Sequence, residues 1–320
     1  MRTPLLFGLF ALCATGLLAQ QAAPADLDVL HVQGNVWLIA GAGGNIAVDI
    51  GDMGVVVVDT GLAQNADKVV AAIRKLTDKP IQYIMNTHMH PDHMGGNITV
   101  RKAGVTITGA NVTGDINDAA AGAAILAHNN VLNRVSAPSG KQAAMAADAW
   151  PTDTYISGQK EIYFNDEPIV MMHQPKAHTD GDSFVFFRRS DVVAAGDIFV
   201  TTSYPYIDIE NGGSIQGEID ALNNLLDIVI PKHEEEGGTY VIPGHGRICD
   251  EYDVLEYRDM ITIVRDRVQN AIKKGMTIDQ VRAAGLTKDF DSRWSAKSGF
   301  GTADNFVTAA YKSLSAAAKK

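Results

Sequence analysis

Cysteine is scarce: the 320 residues hold two, Cys13 and Cys249, which rules out a scaffold stapled by disulfides. Positive charge is short as well. Lys and Arg number 27 against 37 Asp and Glu, a net charge of −10. The resulting field repels phosphate, so nucleic acid and anionic membrane surfaces are excluded as general partners. A small anion held beside bound cations stays compatible with it. After Ala19 no apolar run approaches the length that spans a bilayer. Low-complexity tracts, short repeats and a linker between independent domains are also missing. What is present, at 46% hydrophobic and 20% charged residues, is a globular composition on a chain long enough for a large core.

The N-terminus carries the chain's one long apolar run. Arg2 precedes it, it extends from Leu5 to Ala19, and its length of about 15 residues falls short of a membrane span. Small residues and Pro24 follow, so the segment reads as a secretory signal peptide over about residues 1–23. The expectation is a protein exported to a bacterial periplasm, with no stable membrane insertion after cleavage. Residues 24–320 then form a single domain with a C-terminal helical tail, and Cys249 remains alone.

Strand and helix patterns alternate along the mature chain. His31–Val32 and Asn35–Ile39 read as one interrupted strand. Ile46–Ile50 and Val55–Asp59 flank the turn Gly51-Asp52-Met53-Gly54. Residues 65–76 have helical periodicity, and Ile81–Met85 is a buried strand. A helix is predicted from near Gly95, a strand over Val105–Thr108, and an Ala-rich helix from Asp115 to Arg134. The second half predicts strands at Glu161–Phe164, Pro168–His173, Ser183–Arg188, Asp191–Ala195 and Thr239–Ile242. Its predicted helices are Ile215–Ile230, Asp253–Lys274, Ile278–Ala284 and Thr302–Lys312. Such a succession fits an α/β fold with two sheets face to face and helices on both outer faces. The apolar face of the tail can cover either the sandwich or a second copy of the chain.

The chemistry is concentrated after the Ile81–Met85 strand, in NTHMHPDHMGGN. His88 and His90 are two apart and share one face of an extended segment, so they can hold one ion. Asp92 and His93 follow the turn at Pro91 and can face a second. Imidazole and carboxylate suit zinc. A polar helix cap accounts for one Asp but leaves three clustered histidines unexplained. His178 in AHTDGD, Asp197 at the end of VVAAGD and His245 in VIPGHG are each polar and at a strand end beside Gly or a turn residue. Together with the first cluster they offer enough ligands for two ions.

These motifs resemble those of the metallo-β-lactamase-fold hydrolases. The signature His-x-His-x-Asp-His is matched by His88, His90, Asp92 and His93. The later ligands are matched by His178, Asp197 and His245, at spacings of 90, 19 and 48 residues. The acidic residue that supports the metal loop is matched by Asp59. The resemblance covers about Val29 to Arg258 and implies a four-layer αββα sandwich. It assigns His88, His90 and His178 to one divalent ion and Asp92, His93 and His245 to another, with Asp197 between them. The implied cofactors are two divalent ions, Zn2+ first, with Fe or Mn as alternatives. The implied reaction is attack by a metal-bridging hydroxide on the carbonyl of a small ester, lactone or thioester, with Asp92 orienting the hydroxide and passing on its proton. Asp197 and Asp92 are thus the catalytic carboxylates. β-Lactam hydrolysis is the alternative, although true β-lactamases of this fold lack a carboxylate at the position of Asp197. A non-catalytic metal-binding protein ranks lower. A diiron redox protein ranks lower too, since the chain leaves no room for a flavin domain.

Other residues are weighed against ordinary packing. Trp37 can line the mouth of the site or belong to the core. Tyr204 and Tyr206 follow Asp197 closely and can contact substrate. Asn45 can bridge a loop to the metal strand, and Asn211 lies in the same stretch as the tyrosines. His128 is read as a structural hydrogen-bonding residue, His173 as solvent-facing or supporting, and His31 and His233 as surface residues. Cys249 reads as a buried, inert thiol.

Overall fold

The computed structural model describes residues 26–106, 122–138, 143–234 and 237–317. The signal-peptide segment and the expected helix start at Asp115 lie outside the described residues. The first half contains β1 (Asp28–Gln33), β2 (Val36–Ala40), β3 (Ile46–Gly51), β4 (Gly54–Val58), α1 (Ala66–Leu76), β5 (Ile81–Met85), α2 (Pro91–Met94), α3 (Asn97–Lys102), β6 (Ala124–His128), α4 (Asn129–Val135) and β7 (Asp153–Tyr155). The second half contains β8 (Gln159–Phe164), β9 (Glu167–His173), β10 (Ser183–Phe187), β11 (Val192–Val200), α5 (Ile215–Leu226), β12 (Tyr240–His245), α6 (Glu251–Lys273), α7 (Ile278–Ala283), α8 (Asp291–Trp294) and α9 (Ala303–Ala317).

Strands β1 to β7 form one sheet in chain order, and the second runs β12-β11-β10-β9-β8. Pairing is antiparallel from β1 to β4 and parallel from β4 to β7. The central strands are apolar on both faces because both faces are covered. Val56, Val58, Met85 and Leu126 meet Ile169, Met171, Val185 and Phe187 between the sheets. Val55, Val57 and Ile84 turn outward onto Val69 and Ile73 of α1. On the other side, Phe184, Val193 and Val241 pack against Leu222 of α5, Tyr257 and Ile261 of α6, and Phe306 of α9. Three apolar layers therefore separate four structural layers, an αββα sandwich, and the tail lies on the second sheet.

Three local elements differ from those the sequence predicts. The supposed interrupted strand is a hairpin: β1 and β2 pair antiparallel around Gly34, at φ 56°. Val105 and Thr106 form no strand. The span Ala124–His128, expected as helix, is the parallel strand β6 between β5 and β7. Helix propensity of its alanines yields there to burial between two neighbouring strands. The turn joining β8 to β9 places Asn165 and Asp166 at φ 55° and 56°, a two-residue hairpin turn that Asn and Asp tolerate well. Among the described residues no helix is long and apolar enough to cross a membrane.

Candidate metal centre

The site lies where the strand ends of the two sheets meet. Asp59 follows β4, the segment from Asn86 to His93 follows β5, and Asp197 and His245 come from the adjacent strands β11 and β12. Asp197 is not strand-terminal as the sequence implies. It lies within β11, which runs on to Val200 with irregular pairing on either side of Gly196.

The ligand atoms fall into two groups. One is His88, His90, His178 and Asp197; the other is Asp92, His93, Asp197 and His245, with the atoms of each group within 4.8 Å of one another. Asp197 is common to both. Its Oδ1 is 3.1 Å from His93 Nε2 and 3.4 Å from His245 Nε2. Its Oδ2 is 4.0 Å from His88 Nε2 and 3.8 Å from His178 Nε2. Asp92 Oδ2 is 3.2 Å from His245 Nε2.

The outward ring nitrogens are held by the chain. His93 Nδ1 donates to Asp59 Oδ2 at 2.8 Å. His88 Nδ1 donates to Thr87 Oγ1 at 3.0 Å, and Thr87 Oγ1 donates to Asp59 Oδ2 at 2.7 Å. His90 Nε2 donates to Asp208 Oδ2 at 3.0 Å, and His178 Nδ1 to the Tyr206 carbonyl at 2.5 Å. With those protons committed, the inner nitrogens present lone pairs. His90 Nδ1 and His178 Nε2 then face each other at 2.8 Å, two acceptors with no proton between them. The buried His88 Nε2 and Asp197 Oδ1 have no hydrogen-bond partner. A cation between these atoms resolves both conflicts, and neutral imidazole with carboxylate is a donor set that suits zinc. The residues fit two divalent ions.

Charge supports the same arrangement. Burial, reinforced by His90, holds His178 down to about 4, and burial with His93 and His178 keeps His88 well below the ordinary imidazole range. Burial alone raises the Asp197 carboxyl, but His93, His88 and His245 outweigh it and hold it well below the ordinary range. Burial opposes a charged His93, yet Asp197 and Asp59 push its pKa well up, so a proton competes with metal there. For Asp208 burial is likewise outweighed, by hydrogen bonds from His90 and Asn211, which bring it down to about 2.

Glycines make room for the ligands. A Cβ on Gly44 falls 2.3 Å from His93 Cε1, and one on Gly244 falls 2.0 Å from Asp197 Oδ1. Asn45 Nδ2 donates to the carbonyls of Pro243 and Gly246 at 2.9 and 3.0 Å, bracketing His245.

A cavity of about 750 Å³ opens over the centre. His90, Asp92, Asp197 and His245 line its floor, with Tyr206, Glu210, Leu62, Val200 and Phe300 among its walls. No Lys or Arg is among the described residues lining it. Tyr206 faces the cavity and stacks on His90 at 5.7 Å between ring centroids. Tyr204 and Trp37 do not. Tyr204 is buried, with its hydroxyl donating to Asp291 Oδ1 at 2.9 Å and lying 3.1 Å from the Thr287 carbonyl. Trp37 packs edge-on against the exposed His31. Alternation along a strand decides which face a residue takes, and Trp37 falls on the outer face with the layer under α1. His128 and His173 stack on each other at 3.6 Å away from the ligand groups. His128 Nδ1 accepts from Asn130 N to cap α4. Cys249 is buried, its thiol pushed above the ordinary range by burial and Asp253. His233 is exposed.

Asp208 is a site residue that the sequence does not single out. Its signal was faint: an acid two residues after Tyr206, within YPYIDIENGGS. The Asp208 amide donates to the His178 carbonyl at 2.9 Å, and Asn211 Nδ2 donates to its carboxylate at 2.6 Å.

Residues 30–245 match the family described as the metallo-beta-lactamase superfamily. The chain belongs to that superfamily. A linear primary-alkylsulfatase of Pseudomonas sp. (strain ATCC 19151) is 24% identical over 278 residues, covering 71% of this chain and 47% of that protein. The stereoselective inverting sec-alkylsulfatase Pisa1 from Pseudomonas sp. superposes with a TM-score of 0.66 at 16% identity, over 89% of this chain and 50% of that one. A metallo-beta-lactamase from Pontibacter korlensis superposes with a TM-score of 0.54 at 14% identity, over 74% of this chain and 99% of that one. The chain thus spans about half the length of the curated relative it matches. The likeness to the solved structures is one of fold.

Proposed function

We propose that this chain is a dinuclear metal hydrolase that cleaves a small uncharged ester, lactone or thioester. The observation that carries the reading is a ligand cage centred on Asp197 beneath a cavity whose described lining holds acids and apolar groups but no cation. When bound, two divalent ions, Zn2+ foremost, supply an acidified water and polarise a carbonyl oxygen. His88, His90, His178 and Asp197 would hold one ion; Asp92, His93, His245 and Asp197 would hold the other. Asp92 is 34% exposed, and its Oδ2 faces the cage, 3.2 Å from His245 Nε2. Its Oδ1 is left to accept a hydrogen bond from the attacking water and to carry that proton to the leaving group. Tyr206 and Asp208 fix the rings of His178 and His90 and keep their lone pairs on the cage. The apolar N-terminal run supports action outside the cytoplasm.

Sulfate-ester hydrolysis is the second reading, favoured by the alkylsulfatase of Pseudomonas sp. (strain ATCC 19151). Against it stands the cavity wall: apart from the ions themselves, no Lys or Arg of the described lining meets a substrate anion, and Glu210 adds negative charge. A β-lactam bearing a carboxylate meets the same wall. The test is kcat/KM of the zinc-loaded protein for a γ-lactone, an S-acyl thioester, dodecyl sulfate and a chromogenic cephalosporin, beside Asp92→Ala. A value of about 10⁴ M⁻¹s⁻¹ or more on an acyl substrate, lost in Asp92→Ala, supports the reading. A tenfold preference for the sulfate or the cephalosporin overturns it.

A further inference from the structure

Phe300 is 66% exposed. It lines the same cavity as His90, Asp92 and His245. Its ring centroid lies 4.4 Å from that of Tyr206, and Tyr206 stacks in turn on His90. A run of three rings therefore leads from the mouth of the cavity to a metal-ligand imidazole. Leu62 and Val200 add apolar surface to the same cavity.

The loop that carries Phe300 is pinned. Ala296 N donates to the Gly301 carbonyl at 3.1 Å, closing the turn, and Asn305 Nδ2 donates to the Gly299 carbonyl at 2.7 Å. Gly301 presses against Ser203 so closely that a Cβ would fall 2.3 Å from its Oγ. The neighbouring Tyr204 N donates to the Trp294 carbonyl at 2.6 Å. With its hydroxyl on Thr287 and Asp291, Tyr204 clasps the C-terminal segment to the loop that bears Tyr206. This segment lies outside residues 30–245, which carry the superfamily match.

We propose that Phe300 and Tyr206 form the wall that receives the apolar, non-reacting part of the substrate, so that residue 300 sets selectivity for chain length. The inference rests on the acyl-substrate reading above. The pinned loop presents an aromatic face at little entropic cost. The surroundings of that face, Glu210 included, disfavour an anionic tail.

The test compares the zinc-loaded full chain, Phe300→Ala and Phe300→Leu on γ-butyrolactone and γ-decalactone. Phe300→Ala is expected to lose about tenfold in kcat/KM on γ-decalactone, mainly through KM. On γ-butyrolactone it stays within twofold, and Phe300→Leu recovers part of the loss. Equal loss on both lactones, or loss on neither, overturns the proposal. Calorimetric binding of N-methyloctanamide separates this inference from the reaction. If no lactone turns over but Phe300→Ala binds the amide about tenfold more weakly than wild type, the wall stands and the lactone branch of the acyl-hydrolase reading falls. Equal affinity in the two, or no binding to wild type, overturns the wall.

Discussion

Asp59 Oδ2 lies 2.8 Å from His93 Nδ1, a contact between two buried residues 34 positions apart in the chain. The same oxygen accepts from Thr87 Oγ1, which holds His88 Nδ1. One carboxylate therefore sets the ring orientation of one histidine in each ligand group. Asp59→Asn removes an acceptor but keeps the backbone, because Asn tolerates the φ of 64° found at Asp59. Zinc affinity is expected to fall about 10–100-fold, with both ions affected. Chelator competition measures it; two ions retained at wild-type affinity would falsify the orienting role.

Asp208 makes the matching contact for His90 alone. In Asp208→Asn one ion should weaken by about 10–100-fold while the other holds. The contrast with Asp59→Asn is read from stepwise zinc titration, one altered step against two. Two altered steps in Asp208→Asn would mean that its effect spreads beyond the His90 ring.

Gly44 is a steric requirement rather than a conformational one. Its missing Cβ is the space taken by the His93 ring, and that ring cannot retreat while Nδ1 is held by Asp59 and Nε2 faces Asp197. Gly44→Ala is expected to cost about 1–3 kcal/mol of stability. It should also weaken the ion held by Asp92, His93 and His245 at least tenfold. Thermal unfolding and zinc content check the two effects separately, and a variant unchanged in both would refute the packing argument.

What could be read from the sequence divides along physical lines. The two-sheet α/β layering was legible because burial on both faces writes runs such as the valines of β4 directly into the chain. The residues that meet at the metal centre were legible because several imidazoles close together demand a common partner. The orientation of lone aromatics was not. Trp37 and Tyr204 each had an equally good core reading, and the structure places both away from the cavity. Asp208 and Phe300 were missed because their roles arise only when the loop after β11 and the C-terminal segment fold back over His90. Strand β6 misled because alanine favours helix wherever neighbouring strands do not compete for its backbone.

Away from the metal centre, Asp49 ties the two sheets together and makes stability depend on pH. It is buried on β3 and accepts a hydrogen bond from Asn165 Nδ2 at 2.6 Å across the sandwich. Burial, with Glu167 adding repulsion against the help of Asn165, raises its carboxyl from 3.8 to about 7. In the unfolded chain the group ionises near 3.8; in the folded chain it keeps its proton until about 7. Between these values the folded state binds the extra proton, so stability falls as pH rises through the window. Below it the group costs nothing, and above it the full cost applies, on the order of 4 kcal/mol. Asp49→Asn retains an oxygen for Asn165 and removes the ionisation. It is therefore expected to match wild type in denaturant unfolding at pH 4 and to exceed it at pH 8. A difference of the same size at both values would show that Asp49 acts through packing alone.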